Sequence, residues 1–76
     1  MSPADLPAVK ARKLLRALVK CGFSVARTRG SHRFLKHADG RTMVFSFHDG
    51  ETIGPRMLAR VLKDAGFTFA EVREHL

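Results

Sequence analysis

Histidine, arginine and lysine are the residues in this chain best suited to chemistry, and they crowd into one stretch. "RTRGSHRFLKHADGRTMVFSFHDG", Arg27 to Gly50, holds three of the four histidines and five of the fourteen basic residues. His32 stands out because it follows Gly30-Ser31 at the mouth of a strand-like run. An imidazole with an ordinary pKa near ~6.5 can take up and release a proton at neutral pH. Cleaving RNA asks for little more. A base removes the ribose 2′ proton, the 2′ oxygen attacks the adjacent phosphorus, and nearby cations stabilise the charge that builds on the phosphate. Arg29, Arg33 and Lys36 are close enough in sequence to supply that charge. The competing use of such a histidine is a single hydrogen bond on a half-buried strand. Local sequence alone favours that use, because a catalytic role depends on geometry.

The other histidines carry less. His48 ends a strand-like run before Asp49-Gly50 and reads either as a turn residue or as a second imidazole near the first. His37 reads as a surface or strand-edge residue, and His75 as a solvated tail residue. A metal site is not expected, since no His-x₃-His or Cys-x₂-Cys pair exists. The lone cysteine, Cys21, excludes an internal disulfide and reads as a small core residue of a reducing compartment. Arg56, Arg60 and Lys63 recur at helical spacing and should share one face of a helix. Phosphate is one ligand for such a face; bulk water is the other.

The elements that must position these groups follow from periodicity. "AVKARKLLRALVKCGF" reads as a helix, with Ala11, Leu14, Leu15 and Leu18 on one stripe, Arg12, Arg16 and Lys20 on another, and Gly22 as its stop. "FSVART", "HRFLKH" and "TMVFSF" read as three strands, the last two joined across Asp39-Gly40. Pro55 opens a second helix whose apolar stripe is Met57, Leu58, Val61, Leu62 and Ala65, capped by Gly66. Thr68 and Glu71 are spaced as a capping box and predict a short last helix. Hairpin connections make the sheet antiparallel. The predicted fold is therefore α+β, ordered α-β-β-β-α: three strands packed on two helices, plus a short C-terminal helix. That is the layout of a double-stranded-RNA-binding domain.

Size and charge narrow the partners. The 76 residues allow one domain, with residues 1–7 expected to be loosely held. Fourteen basic against seven acidic residues leave a net charge of +7, the footprint of a nucleic-acid binder, though an acidic protein or simple solubility would also fit. No apolar run approaches the ~20 residues of a membrane span, and no signal-peptide core is seen, so a cytoplasmic setting is expected.

From "LVKCGF" through "GSH" and "HDGETI" to "LARVLKDAGFTFAEV", in that order, the chain resembles the HicA family of small toxins. Those proteins are messenger-RNA-cleaving nucleases of toxin–antitoxin pairs. The resemblance implies a double-stranded-RNA-binding-like fold and a catalytic histidine at the "GSH" position, here His32. It also implies action without a metal or other cofactor, and silencing by a HicB-like antitoxin that covers the site. Ser31 of the same motif joins Arg29, Arg33, Lys36, Arg56, Arg60 and Lys63 as candidate RNA contacts. Three positions depart from the commoner family pattern. Arg33 stands where many relatives have a second histidine, Ser46 where many have proline, and Arg56 where many have glycine.

If His32 works on RNA it must face solvent, and this constrains the hairpin. A two-residue turn at Asp39-Gly40 would place His32 on the face of Phe34, Met43, Phe45 and Phe47. A three-residue loop with Gly40 in a bulge places His32, Phe34 and Lys36 on the face of Thr42, Val44 and Ser46, and leaves Leu35 with Met43, Phe45 and Phe47 in the core. The second register is expected. It exposes Phe34 and Val44 beside His32 as an apolar surface for an antitoxin. Two other readings stay open: a non-catalytic RNA-binding module that uses the cations without the imidazole, and an inert binder of an acidic protein.

Overall fold

The computed structural model describes residues 5–76. It has the expected architecture, α+β with a three-stranded antiparallel sheet, and two short strands besides. β1 is Val9–Lys10, α1 Ala11–Lys20, β2 Phe23–Arg29, β3 His32–His37, β4 Thr42–Ser46, β5 Thr52–Ile53, α2 Pro55–Ala65 and α3 Phe69–Arg73. The main sheet is ordered β2-β3-β4. The helices cover one face of it and leave the other open.

The core forms where three apolar patterns meet. Ala11, Leu14, Ala17 and Leu18 of α1 recur every three or four residues, as do Leu58, Val61, Leu62 and Ala65 of α2. The sheet adds Phe23, Leu35, Met43 and Phe45, with Phe47 just beyond β4, and Val72 of α3 fills the remaining space. No charged or polar side chain is buried among the described residues. Met57, expected on the α2 stripe, is instead half exposed at 50%, because it sits one position off the face that meets the sheet.

The β3–β4 register is the one that keeps His32 out of this core. His32 pairs with Ser46, Phe34 with Val44, Leu35 with Met43 and Lys36 with Thr42. Opposed residues share a face, so the site and the core separate residue by residue. The loop enforces this. His37 N–H donates to the Arg41 carbonyl at 2.7 Å and Gly40 N–H to the His37 carbonyl at 2.9 Å, which leaves Ala38, Asp39 and Gly40 as a three-residue connection. Gly40 takes φ of 99°, a conformation that costs a side-chain-bearing residue steric strain.

The loop is clasped to both helix ends. His37, expected at the surface, is largely covered: its Nε2 donates to the Cys21 carbonyl at 2.9 Å, at the end of α1, and its ring lies edge-on to Phe23. Its Nδ1 lies within reach of both the Asp39 amide and the Asp39 carboxylate, so the ring keeps a partner in either protonation state. The sequence signal for a surface residue failed because Gly22 lacks a side chain: a Cβ there would lie 2.5 Å from His37 Nε2. Arg41 closes the other half. It pairs with Asp39 at 2.9 Å, donates to the Ala65 carbonyl at the end of α2, and lies over the Phe67 ring.

Two short strands escaped the periodicity. Val9 and Lys10, taken as the start of the first helix, pair with Ile53 and Thr52. Ala11 N–H then donates to the Glu51 carbonyl at 3.0 Å, which satisfies one of the free amides at the start of α1. The expected loosely held start falls partly on residues 1–4, outside the described residues; Leu6 packs against the core. At the other end Gly66, with φ of 75°, stops α2, and the Thr68–Glu71 capping box forms as expected.

Two stability outcomes follow. Gly22→Ala combines a left-handed backbone with a clash against His37, and should lower unfolding free energy by about 1–3 kcal/mol in a urea titration at neutral pH. The second concerns acid. The Asp39 carboxyl is held below its ordinary value chiefly by the Arg41 amide, with the Arg41 and His37 charges adding. Glu71 is held low by the Thr68 amide and hydroxyl. Carboxyls depressed in the folded state stabilise it above their unfolded pKa values and lose that contribution as pH falls through the folded ones. The melting temperature should therefore fall as pH drops below about 4, and less steeply in Asp39→Asn.

Candidate active site on the open face of the sheet

His32 opens β3 after a two-residue turn. Arg29 pairs with His32 across Gly30-Ser31, and Gly30 takes φ of 56° while Ser31 does not share the positive sign. Glycine at the first turn position is what the type II′ hairpin requires, and the twist of such turns matches that of the strands. The turn thus delivers His32 to an exact row of the sheet. Its ring is exposed on the open face, and its Nδ1 lies 2.5 Å from the Ser46 hydroxyl of the facing strand.

The cations reach that face by an irregularity. Strict alternation along "FSVARTR" would put Arg27 and Arg29 on the same face as Phe23. The register instead shifts between Val25 and Arg27, where β2 bulges at Ala26. Beyond the bulge Arg27 pairs with Phe34 and Arg29 with His32, so both arginines join the open face. The Arg27 guanidinium lies 4.4 Å from the centre of the Phe34 ring. Arg27 was not among the residues picked from the sequence; nothing in local patterning marks a bulge at an alanine. Lys36, two rows along, completes the face with Ser24, Thr42 and Val44. Phe34 is half-buried under Arg27, whereas Val44 is 49% exposed.

Other expected contacts lie elsewhere. Arg33 pairs with Phe45 and so points to the core side, away from His32. Its guanidinium donates to the Ser31 carbonyl at 2.9 Å and the Phe47 carbonyl at 2.6 Å and stacks 3.7 Å over the Phe47 ring. Only the weak approach to Asp49, 3.9 Å, involves another charge. Arg33 holds the turn before His32 against the end of β4. Ser31 takes part through its carbonyl, which also accepts from Phe47 N–H at 3.0 Å. That bond extends the ladder past Ser46 and brings exposed His48 to the same end of the sheet as His32. The His48 backbone forms a turn with Glu51. Arg56, Arg60 and Lys63 are exposed on the outer side of α2, across the helical layer from the open face.

The two remaining chemical candidates have ordinary surroundings. Burial, then the Glu71 and Glu74 charges, push the Cys21 thiol up, so it stays protonated and unreactive at neutral pH. Among the described residues no group of three or more His, Cys, Asp or Glu side chains is arranged to hold a metal ion. No helix among them is long and apolar enough to cross a membrane.

Fold and site together define a small basic α+β domain, with an α-β-β-β-α arrangement like that of double-stranded-RNA-binding folds, that presents the His32 imidazole among cations on an open sheet. A family model described as HicA toxin of bacterial toxin–antitoxin matches residues 11–67. The chain belongs to that toxin family, whose members work opposite an antitoxin partner. No curated protein matches it.

Arg33 offers a direct test of placement. Arg33→Ala strips two carbonyls and a ring of their partner, and should cost about 1–3 kcal/mol in chemical denaturation. Lys36→Ala, on the open face, should stay within about 0.5 kcal/mol of the parent.

Proposed function

We propose that this chain is the toxin of a HicA-type pair, acting as an endoribonuclease on messenger RNA with His32 as acid and base. The observation that carries this is the exposure of the His32 imidazole on the cationic face of the sheet, with Arg29 directly across from it. In the reaction His32 takes the ribose 2′ proton, the 2′ oxygen bonds to phosphorus, and the bond to the 5′ oxygen of the next nucleotide breaks as that oxygen gains a proton. The products are a 2′,3′-cyclic phosphate and a 5′ hydroxyl. The atoms balance without redox chemistry or a cofactor. Arg27, Arg29 and Lys36 stabilise the phosphate charge, and Phe34 under Arg27 offers a surface on which a base can stack. His48, at the same end of the sheet, is a second proton carrier available to the leaving oxygen. Arg56, Arg60 and Lys63 contact RNA that extends round the domain. The antitoxin is HicB-like and covers the open face, seated on Val44 and Phe34. The setting is the cytoplasm, where messenger RNA is found.

The decisive measurement is cleavage of a defined RNA in the presence of a chelator. His32→Ala should fold, bind RNA and fail to cut it, and should no longer arrest growth when expressed. An active, folded His32→Ala chain would refute the assignment. Binding without cleavage by the parent protein would instead identify an RNA-binding module. A His48→Ala chain that cuts at the full rate would leave His32 as the sole proton carrier. Binding should weaken steeply with salt, and each of Arg27→Ala, Arg29→Ala and Lys36→Ala should reduce the log–log slope by about 0.7, the value for one single-strand phosphate contact.

A further inference from the structure

Ser46 is the nearest polar neighbour of the His32 ring, and its identity matters for which nitrogen does chemistry. The two residues face each other across the β3–β4 ladder, with His32 Nδ1 2.5 Å from Ser46 Oγ. Among the described residues this is the one hydrogen bond made by either side chain, so Nε2 is left toward solvent. A neutral imidazole has one N–H and one lone pair, and the partner of one nitrogen decides the role of the other.

We infer that Ser46 is a positioning residue for His32: its hydroxyl accepts the Nδ1–H and so presents Nε2 as the nitrogen that exchanges protons with RNA. The inference rests on the proposed role of His32. The chemistry selects the direction of the bond. To receive the 2′ proton, Nε2 must carry a lone pair, which places the hydrogen of neutral imidazole on Nδ1. Once Nε2 is protonated, Nδ1–H is still present and still donates to Ser46. The same bond therefore serves both halves of the proton cycle without rearrangement. A serine donating to Nδ1 would have to break that bond at each turnover. The other polar and charged groups on this face are Ser24, Arg27 and Arg29 on β2, Lys36 on β3, Thr42 on β4 and His48 beyond it. The cations among them cannot accept the Nδ1 hydrogen, so the hydroxyl is the acceptor within reach.

The test pairs two side chains of one shape, Ser46→Thr and Ser46→Val, both suited to an exposed strand position. Ring-nitrogen chemical shifts of His32, read by NMR at alkaline pH, report the tautomer without reference to activity. The parent and Ser46→Thr should show hydrogen on Nδ1, whereas Ser46→Val should drift toward the Nε2–H form that an unrestrained imidazole prefers. In RNA cleavage Ser46→Val should lose about tenfold in kcat with KM unchanged, and Ser46→Thr should keep the parent rate. Hydrogen on Nε2 in the parent, or full activity in a folded Ser46→Val chain, overturns the role of Ser46 while leaving His32 in place. A parent that shows the Nδ1–H form yet cuts no RNA overturns the positioning role together with the nuclease assignment. Circular dichroism of each variant, with Ser46→Ala as a smaller replacement, separates misfolding from these results.

Discussion

The register of the β3–β4 hairpin is the constraint on which everything else rests. A shift of one residue would exchange the faces of every side chain on one strand. Leu35 would leave the core, and His32 would enter a layer where no charged or polar side chain is buried among the described residues. Three residues, Ala38 to Gly40, set the register, and the clasp of His37, Asp39 and Arg41 keeps them there. The clasp reaches the carbonyl ends of both long helices, so the loop that sorts the sheet's faces also anchors the layer that covers one of them. The same contacts thus serve both the packing of the fold and the placement of His32.

The open face depends on a second adjustment at the far side of the sheet. β2 is an edge strand, and past Phe23 it leaves the shelter of the helices, with Val25 exposed at 42%. A bulge costs little there, because few packing contacts resist it. Its effect is electrostatic: two arginines come to the face that already bears Lys36 and His32. Like charges gathered in this way repel one another in the free protein and gain when a polyanion neutralises them. Such a face is better matched to a partner than to the isolated fold.

Much of this was legible in the residues. The helical stripes, the Gly-Ser and Asp-Gly turns, the capping box and the alternation of Met43, Phe45 and Phe47 are local signals, and local sterics act alike in any tertiary setting. The choice of His32 as a candidate came from the order of motifs that resembles the HicA family, rather than from the residue's own neighbours. What could not be read has a common cause. β1 and β5 are two residues each and exist only because they meet each other. His37 is covered because Gly22, fifteen positions earlier, makes room for its ring. Arg33 resembled a free cation in sequence, yet it spends its guanidinium on Ser31, Phe47 and the Phe47 ring. Arg27 joined the face through a bulge whose position depends on what lies across the ladder.

The sequence by itself determined the order of elements, the hydrophobic stripes, the excess of positive charge and the hairpin turn at Asp39-Gly40. These follow from backbone preferences and periodicity, which act over a few residues. Only the tertiary structure decided which cations stand beside His32, which are turned to structural work, and that Ser46 faces its ring. Those outcomes depend on pairings between segments far apart in the chain, where one bulged residue or one missing side chain moves a charge from one face of the sheet to the other.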